Sequence, residues 1–406
     1  MAVGFSGLPV LNAVAGVRVG VAEAGIRKQN RRDLVVFELA EGSTVAAVFT
    51  RNAFCAAPVT VAKKHLQVAS ARYWVVNTGN ANAGTGAQGM ADANTTCVAL
   101  AQLAGCRVEE VLPFSTGVIG ESLPVGRLVS GLPAALANLS EQGWEQAAHG
   151  IMTTDTVPKG ATRQVSIAGR AVTVTGISKG SGMIRPDMAT MLAYVATDAP
   201  VTQSALQAML RNAVNKSFNR ITVDGDTSTN DACVLAATGR AGGPVIDSIA
   251  SGDYAALAGA VDSVCLELAQ AVVRDGEGAT KFISVQVEGG RNEGECEMVA
   301  YAIAHSPLVK TALFASDPNW GRILAAVGRA GVPDLNLEAV TIHVDDVCIV
   351  RNGGRATDYA ETKGQAVFAR SEITIAVNLA RGAARTTVWT CDFSYDYVKI
   401  NAEYRS

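Results

Sequence analysis

Apolar residues alternate or cluster over Val17–Val21, Leu34–Leu39, Ser43–Thr50 and Tyr73–Asn77, and this short period predicts strands there. The repeat then lengthens. Spacings of three and four predict helices over Ala91–Leu103, closed by Gly105, and over Ser130–Leu139 and Trp144–Met152. Further helices are predicted at Thr202–Val214, Tyr254–Arg274 and Pro307–Ala315, interleaved with strand patterns at Val172–Thr175, Phe282–Val287 and Ile373–Val377. Gly289-Gly290 and Gly353-Gly354 read as hairpin turns. The mixed order predicts an α/β (α+β) fold on mixed or antiparallel sheets rather than a doubly wound parallel sheet. A compositional shift near residue 285 marks a smaller C-terminal α+β domain.

With 406 residues, 49% of them hydrophobic, the chain has material for two or three packed units, which excludes intrinsic disorder. The 34 Lys+Arg nearly balance 37 Asp+Glu, leaving a net charge of −3 and no field for nucleic acid or an acidic membrane face. No uninterrupted apolar run reaches the ~18 residues of a membrane span. The first residues lack a basic stretch and contain Pro9 and Asn12, so they read as a lead-in loop and strand rather than a secretion signal. The eight cysteines form no CxxC pair, which argues against zinc and against a disulfide framework and predicts a reducing cytoplasm.

Three patterns invite a chemical reading. Gly84-Thr85-Gly86-Ala87-Gln88-Gly89 has dinucleotide-loop spacing, but a polar stretch from Thr78 to Asn82 separates it from the preceding strand. Asp224–Asp231 has the density of a calcium loop, yet Thr229 and Leu235 stand where glycine and glutamate are required, so a self-bonded turn is expected. His65, His149, His305 and His343 show no HExxH or other local catalytic spacing. The third pattern is Ser178–Asp198, where a glycine-rich turn leads into a strand-like run headed by Thr190. A threonine whose own α-amine is freed by cleavage of the preceding bond can act without histidine, since that amine titrates near ~8.

The residues resemble the ArgJ-type ornithine acetyltransferases. The resemblance rests on blocks in family order along nearly the whole chain: Asn80–Gly86, Ser115–Gly120, Met152–Thr156, Lys179–Leu192, Asp224–Asp231, Arg274–Lys281, Asp317–Arg322 and Lys399–Ala402. It implies a layered αββα-type sandwich of the self-processing superfamily that includes aminopeptidases. It implies autocleavage between Ala189 and Thr190, giving an α chain of residues 1–189 and a β chain of 190–406, with residues 190–284 completing the sandwich and 285–406 forming the C-terminal domain and a substrate-covering tail. The family's activity is transfer of an acetyl group from N2-acetylornithine to glutamate in arginine biosynthesis, and bifunctional members also accept acetyl-CoA as donor.

Carried over residue by residue, the resemblance implies Thr190 as nucleophile and Thr116 and Gly117 as the oxyanion hole. Substrate binding would fall to Thr153, Lys179, Thr190, Glu277, Asn401 and Ser406. Lys179 suits a substrate α-carboxylate and Glu277 an ornithine ammonium. No cofactor and no metal is expected, and the implied assembly is an α2β2 heterotetramer. Hydrolysis of amides by an N-terminal nucleophile is the alternative enzyme reading, and a non-catalytic dinucleotide-binding protein is the alternative outside enzymes.

Overall fold

The computed structural model describes residues 2–185 and 191–403. Two sheets lie face to face. The first has the order β1 (Val17–Ala22), β2 (Leu34–Leu39), β4 (Tyr73–Asn80), β5 (Val111–Val118); the second has the order β3 (Thr44–Phe49), β9 (Ala232–Ala237), β8 (Leu192–Thr197), β7 (Arg170–Lys179), β6 (Lys159–Ile167). Both are mixed: β4 and β5 run parallel, as do β8 and β9, and the remaining neighbours run antiparallel.

Val35, Phe37, Trp74 and Phe114 from the first sheet meet Ile177, Tyr194 and Val234 from the second in one buried cluster. Only 5% of the chain is aromatic, yet this seam concentrates it. Phe37 stacks on Tyr194 at 5.0 Å and leans on Trp74 at 5.3 Å, while Phe114 meets Tyr194 edge-on, contacts worth ~0.5–1.5 kcal/mol each beyond area burial.

Helices cover both outer faces. On the first sheet lie α1 (Ala57–Val68), α2 (Gly86–Ala104) and α3 (Val125–Ala137), packed through Val61, Cys97, Leu100 and Leu132. The short α4 (Trp144–Gly150) puts Trp144 into the seam between the sheets. On the second sheet lie α5 (Gln203–Lys216) and α6 (Gly252–Arg274), and α6 buries Leu257, Val261, Val264, Leu268 and Val272 at helical spacing. The αββα layering is therefore present.

Ser251 Oγ caps α6 by accepting from Tyr254 N at 3.1 Å. This helix is long and apolar enough to cross a bilayer by length and composition, although the sequence showed no unbroken apolar run, because Asp262 and Glu267 interrupt it. Here it packs as a core helix against β6 and β7.

A third sheet has the order β13 (Gly354–Arg355), β12 (Val347–Arg351), β11 (Thr341–Val344), β14 (Glu372–Asn378), β10 (Phe282–Gly290), β15 (Ala384–Cys391). With α7 (Glu293–Ala304), α8 (Pro307–Phe314), α9 (Trp320–Gly328) and α10 (Glu361–Phe368) it encloses its own apolar cluster. The last helix, α11 (Tyr395–Ala402), returns toward the sandwich.

The turn expected at Gly353-Gly354 joins β12 to β13, with Asn352 and Gly353 both at positive φ (+53° and +72°). The one expected at Gly289-Gly290 does not form a hairpin. Asn292 follows, its side chain accepts from Glu295 N at 3.0 Å, and the chain enters α7 instead. The glycine pair was the weaker signal, because an N-cap residue with glutamate three positions later sat beside it.

Candidate functional site

A cavity of about 280 Å³ opens where the strand ends of both sheets meet the loops around residues 153, 182, 230 and 277. Thr116 and Gly117 reach it from the end of β5. Gly117 has φ +136°, and a Cβ there would lie 2.3 Å from the carbonyl carbon of Gly79 and 2.5 Å from Asn80 N, so only glycine lets β4 and β5 approach this closely. The β4–β5 register slips at Gly79/Asn80, which splays the strand ends around the cavity.

Lys179 ends β7 and donates to Thr116 Oγ1 at 3.1 Å. An ammonium has only donors, so the threonine oxygen accepts and keeps its own proton to donate elsewhere. Burial pulls the Lys179 ammonium below its ordinary range, while the carboxylates of Asp155, Asp231 and Glu277 oppose that pull.

Beneath the cavity lies a paired ionic network. Lys159, with no exposed surface, contacts Asp155 and Asp275 at 2.6 Å each. Asp155 also accepts from Gly180 N at 2.7 Å and Thr153 N at 2.9 Å, and Asp275 accepts from Thr156 N at 3.0 Å and from its hydroxyl. Burial works against the Asp155 carboxylate, but Lys159 and Lys179 outweigh it and hold the group well below the usual carboxylate range. One lysine thus ties together the loop at 153–156, the turn at 180 and the end of α6.

On the opposite wall Glu277 accepts from Asn401 Nδ2 at 2.8 Å, which brings α11 to the cavity. Gly182 makes room for that carboxylate, since a Cβ would sit 2.3 Å from Glu277 Oε2. The acidic loop expected to be a self-bonded turn does bond to itself, Asp224 accepting from Asp226 N and Ser228 from Asn230 N. It also braces the cavity. Asp224 receives Met183 N and Ile184 N, and Asn230 Nδ2 donates to Ala81 O and Ser115 O. Asp231 lines the cavity with 3% exposure, and burial pushes its carboxyl well above the ordinary range.

All six expected site residues that are described, Thr116, Gly117, Thr153, Lys179, Glu277 and Asn401, line this one cavity. Ala189, Thr190 and Ser406 lie outside the described residues. Met191, the next residue after Thr190, lines the cavity. The sequence reading assigned no part to Asp155, Lys159, Asp231 or Asp275. Their signal was faint: Asp155 and Lys159 stand four positions apart, but the Asp275 that completes their network is 116 positions from Lys159.

Two other patterns find structural uses. In the Gly84–Gly89 run, Gly89 sits where a Cβ would meet the Thr85 hydroxyl at 1.9 Å, so the glycine serves the packing of the first turn of α2. In the Asp317–Arg322 block, Asn319 caps α9 by accepting from Arg322 N at 3.1 Å.

Comparison with known proteins agrees with the geometry. The ArgJ family model matches residues 18–406. The chain is 59% identical over 406 residues to the arginine biosynthesis bifunctional protein ArgJ of Pseudomonas fluorescens (strain Pf0-1) and 60% identical to that of Pseudomonas syringae pv. tomato, covering all of each protein. Among solved structures it resembles the arginine biosynthesis bifunctional protein of Bacillus halodurans, with 41% identity over 50% of this chain and 95% of that one and a TM-score of 0.48. On the match across nearly its whole length and the identity to these two relatives, the chain belongs to the ArgJ family.

Proposed function

We propose that this acyltransferase moves the acetyl group of N2-acetylornithine to glutamate through an acetyl ester on Thr190, after cleaving itself between Ala189 and Thr190. The observation that carries the reading is the convergence of Thr116, Gly117, Thr153, Lys179, Glu277 and Asn401 on one cavity beside Met191. The six come from five stretches of chain spread over nearly three hundred positions.

In the first half-reaction Thr190 Oγ attacks the acetyl carbonyl and the α-amine of the same residue takes the hydroxyl proton. The tetrahedral oxyanion is held by the Thr116 hydroxyl, whose proton is free because its oxygen accepts from Lys179, and by the Gly117 backbone. The C–N bond breaks, the proton passes to the departing ornithine amine, and the acetyl group stays on Oγ. In the second half the glutamate amine attacks that ester, the C–Oγ bond breaks, and the hydroxyl recovers its proton. Lys179 meets the α-carboxylate common to both amino acids, and Glu277, positioned by Asn401, meets the ornithine ammonium. Ser406 joins the substrate contacts from the tail. Acetyl-CoA serves as a second acetyl donor, the chains assemble as α2β2, and the setting is the cytoplasm, to which eight free thiols are suited.

Denaturing mass spectrometry of the purified protein tests the first step: two fragments together exceeding the precursor by one water are expected, and a whole chain for Thr190→Ala. An intact, fully active single chain sinks the mechanism. Supplying N2-acetylornithine with and without glutamate tests the second, since N-acetylglutamate marks transfer and free acetate marks hydrolysis.

A further inference from the structure

The cavity wall contains a carboxyl oxygen that nothing in the proposed reaction uses. Asp231 Oδ2 is buried and has no hydrogen-bond partner among the described residues. Buried polar atoms are paired in the great majority of cases, and an unpaired one marks a place where a partner arrives or strain is kept. The backbone that carries the carboxyl is fixed on both sides. Thr50 N donates to Asp231 O at 2.9 Å, Ala232 N donates to Met191 O at 2.9 Å, and both hydrogens of the preceding Asn230 amide are spent on Ala81 O and Ser115 O. Asp231 is thus carried on fixed backbone in the lining of a cavity that also holds the donor Lys179.

The chemistry of the missing partner follows from this. A group that donates hydrogen bonds and carries positive charge would complete the carboxyl and favour its ionised form. A metal ion fits poorly, because no cluster of three or more candidate ligands exists among the described residues. We propose that Asp231 Oδ2 is the docking atom for a primary amine in this cavity, an inference that rests on the acetyl-transfer reading. An amino group of ornithine has that chemistry.

The test uses Asp231→Asn, which keeps the shape but cannot ionise, and Asp231→Leu, which removes the acceptor, with melting temperature as the folding control. Calorimetry with L-ornithine and kcat and KM for transfer are read on each cleaved protein. The ornithine Kd should rise about tenfold or more while kcat changes little, as expected for loss of a charge-assisted bond. An ornithine Kd unchanged in both variants overturns the assignment. Should the variants fail to cleave, the ornithine Kd is compared in the uncleaved Thr190→Ala background with and without Asp231→Asn, and an unchanged Kd there also overturns it. A wild-type protein that makes no N-acetylglutamate sinks the acetyl-transfer reading instead, leaving calorimetry to judge Asp231.

Discussion

The floor and the wall of the cavity treat buried charge in opposite ways. On the floor Lys159 has two carboxylates, and each carboxylate has further donors. On the wall Lys179 donates to a neutral hydroxyl, and among the described residues Asp231 leaves an oxygen bare. A complete network holds a shape and has no capacity left for a ligand. An incomplete one keeps donors and acceptors ready for groups that come and go, which is costly in stability and useful for binding. The difference separates residues that build the site from those that work in it.

Breaking the floor should have the largest effect on the folded state. Lys159→Met leaves Asp155 and Asp275 buried without their cation, and removing one partner of a buried pair typically costs ~3–5 kcal/mol. Urea unfolding should show that loss. Activity should fall with it, because Asp155 also fixes Gly180 N beside Lys179. A melting temperature within a degree or two of the parent would mean that the floor contributes no more than an exposed ion pair.

Breaking the wall should remove the chemistry, and at Thr116 it should do so while leaving the fold. Gly117→Ala forces a Cβ against the Gly79–Asn80 backbone and shifts a proposed oxyanion donor, so kcat should drop by ~10²–10³, the usual loss for one such donor. Thr116→Val removes the other donor and the acceptor of Lys179. It should cost kcat on the same scale of about 10² while shifting urea unfolding by only ~1 kcal/mol. If Thr116→Val unfolds the protein as readily as Lys159→Met does, the distinction between floor and wall fails.

Legibility in the sequence followed the same division. The apolar run at Leu34–Leu39, the alternation at Phe282–Val287 and the helical spacing of Tyr254–Arg274 emerged as β2, β10 and α6, because burial, on both faces for β2 and on a stripe for α6, leaves a local pattern. The resemblance picked out Thr116, Gly117, Lys179 and Glu277, which stand within dense blocks. Asp155–Lys159–Asp275 left almost no trace, since a pairing across 116 positions has no period and depends on two sheets first being stacked. Asp231 was visible only as one acid in a turn-like run; its bare oxygen is a property of the packed loop.

The smallest predicted effect sharpens the comparison by pH. His305 follows α7 at the seam between the units, where its Nε2 lies 3.1 Å from Thr222 Oγ1 and its ring leans on Tyr301. Burial lowers its pKa to about 4, helped by the nearby charges of Arg185, Lys310 and Arg329. An unfolded histidine takes up a proton near ~6.5, so stability present above that pH should be lost as pH falls toward 4. The Asp155 contribution has the same sign but a lower window. It is intact above the ~3.9 of an unfolded aspartate and is lost only as pH falls below that, through the depressed native value. Urea unfolding of His305→Gln across the range from ~6.5 to about 4 should therefore be flatter than the parent, while the fall below it should stay. If His305→Gln leaves the upper slope unchanged, the loss there belongs to other groups; if it abolishes the lower one as well, the floor network is not what holds the fold in acid.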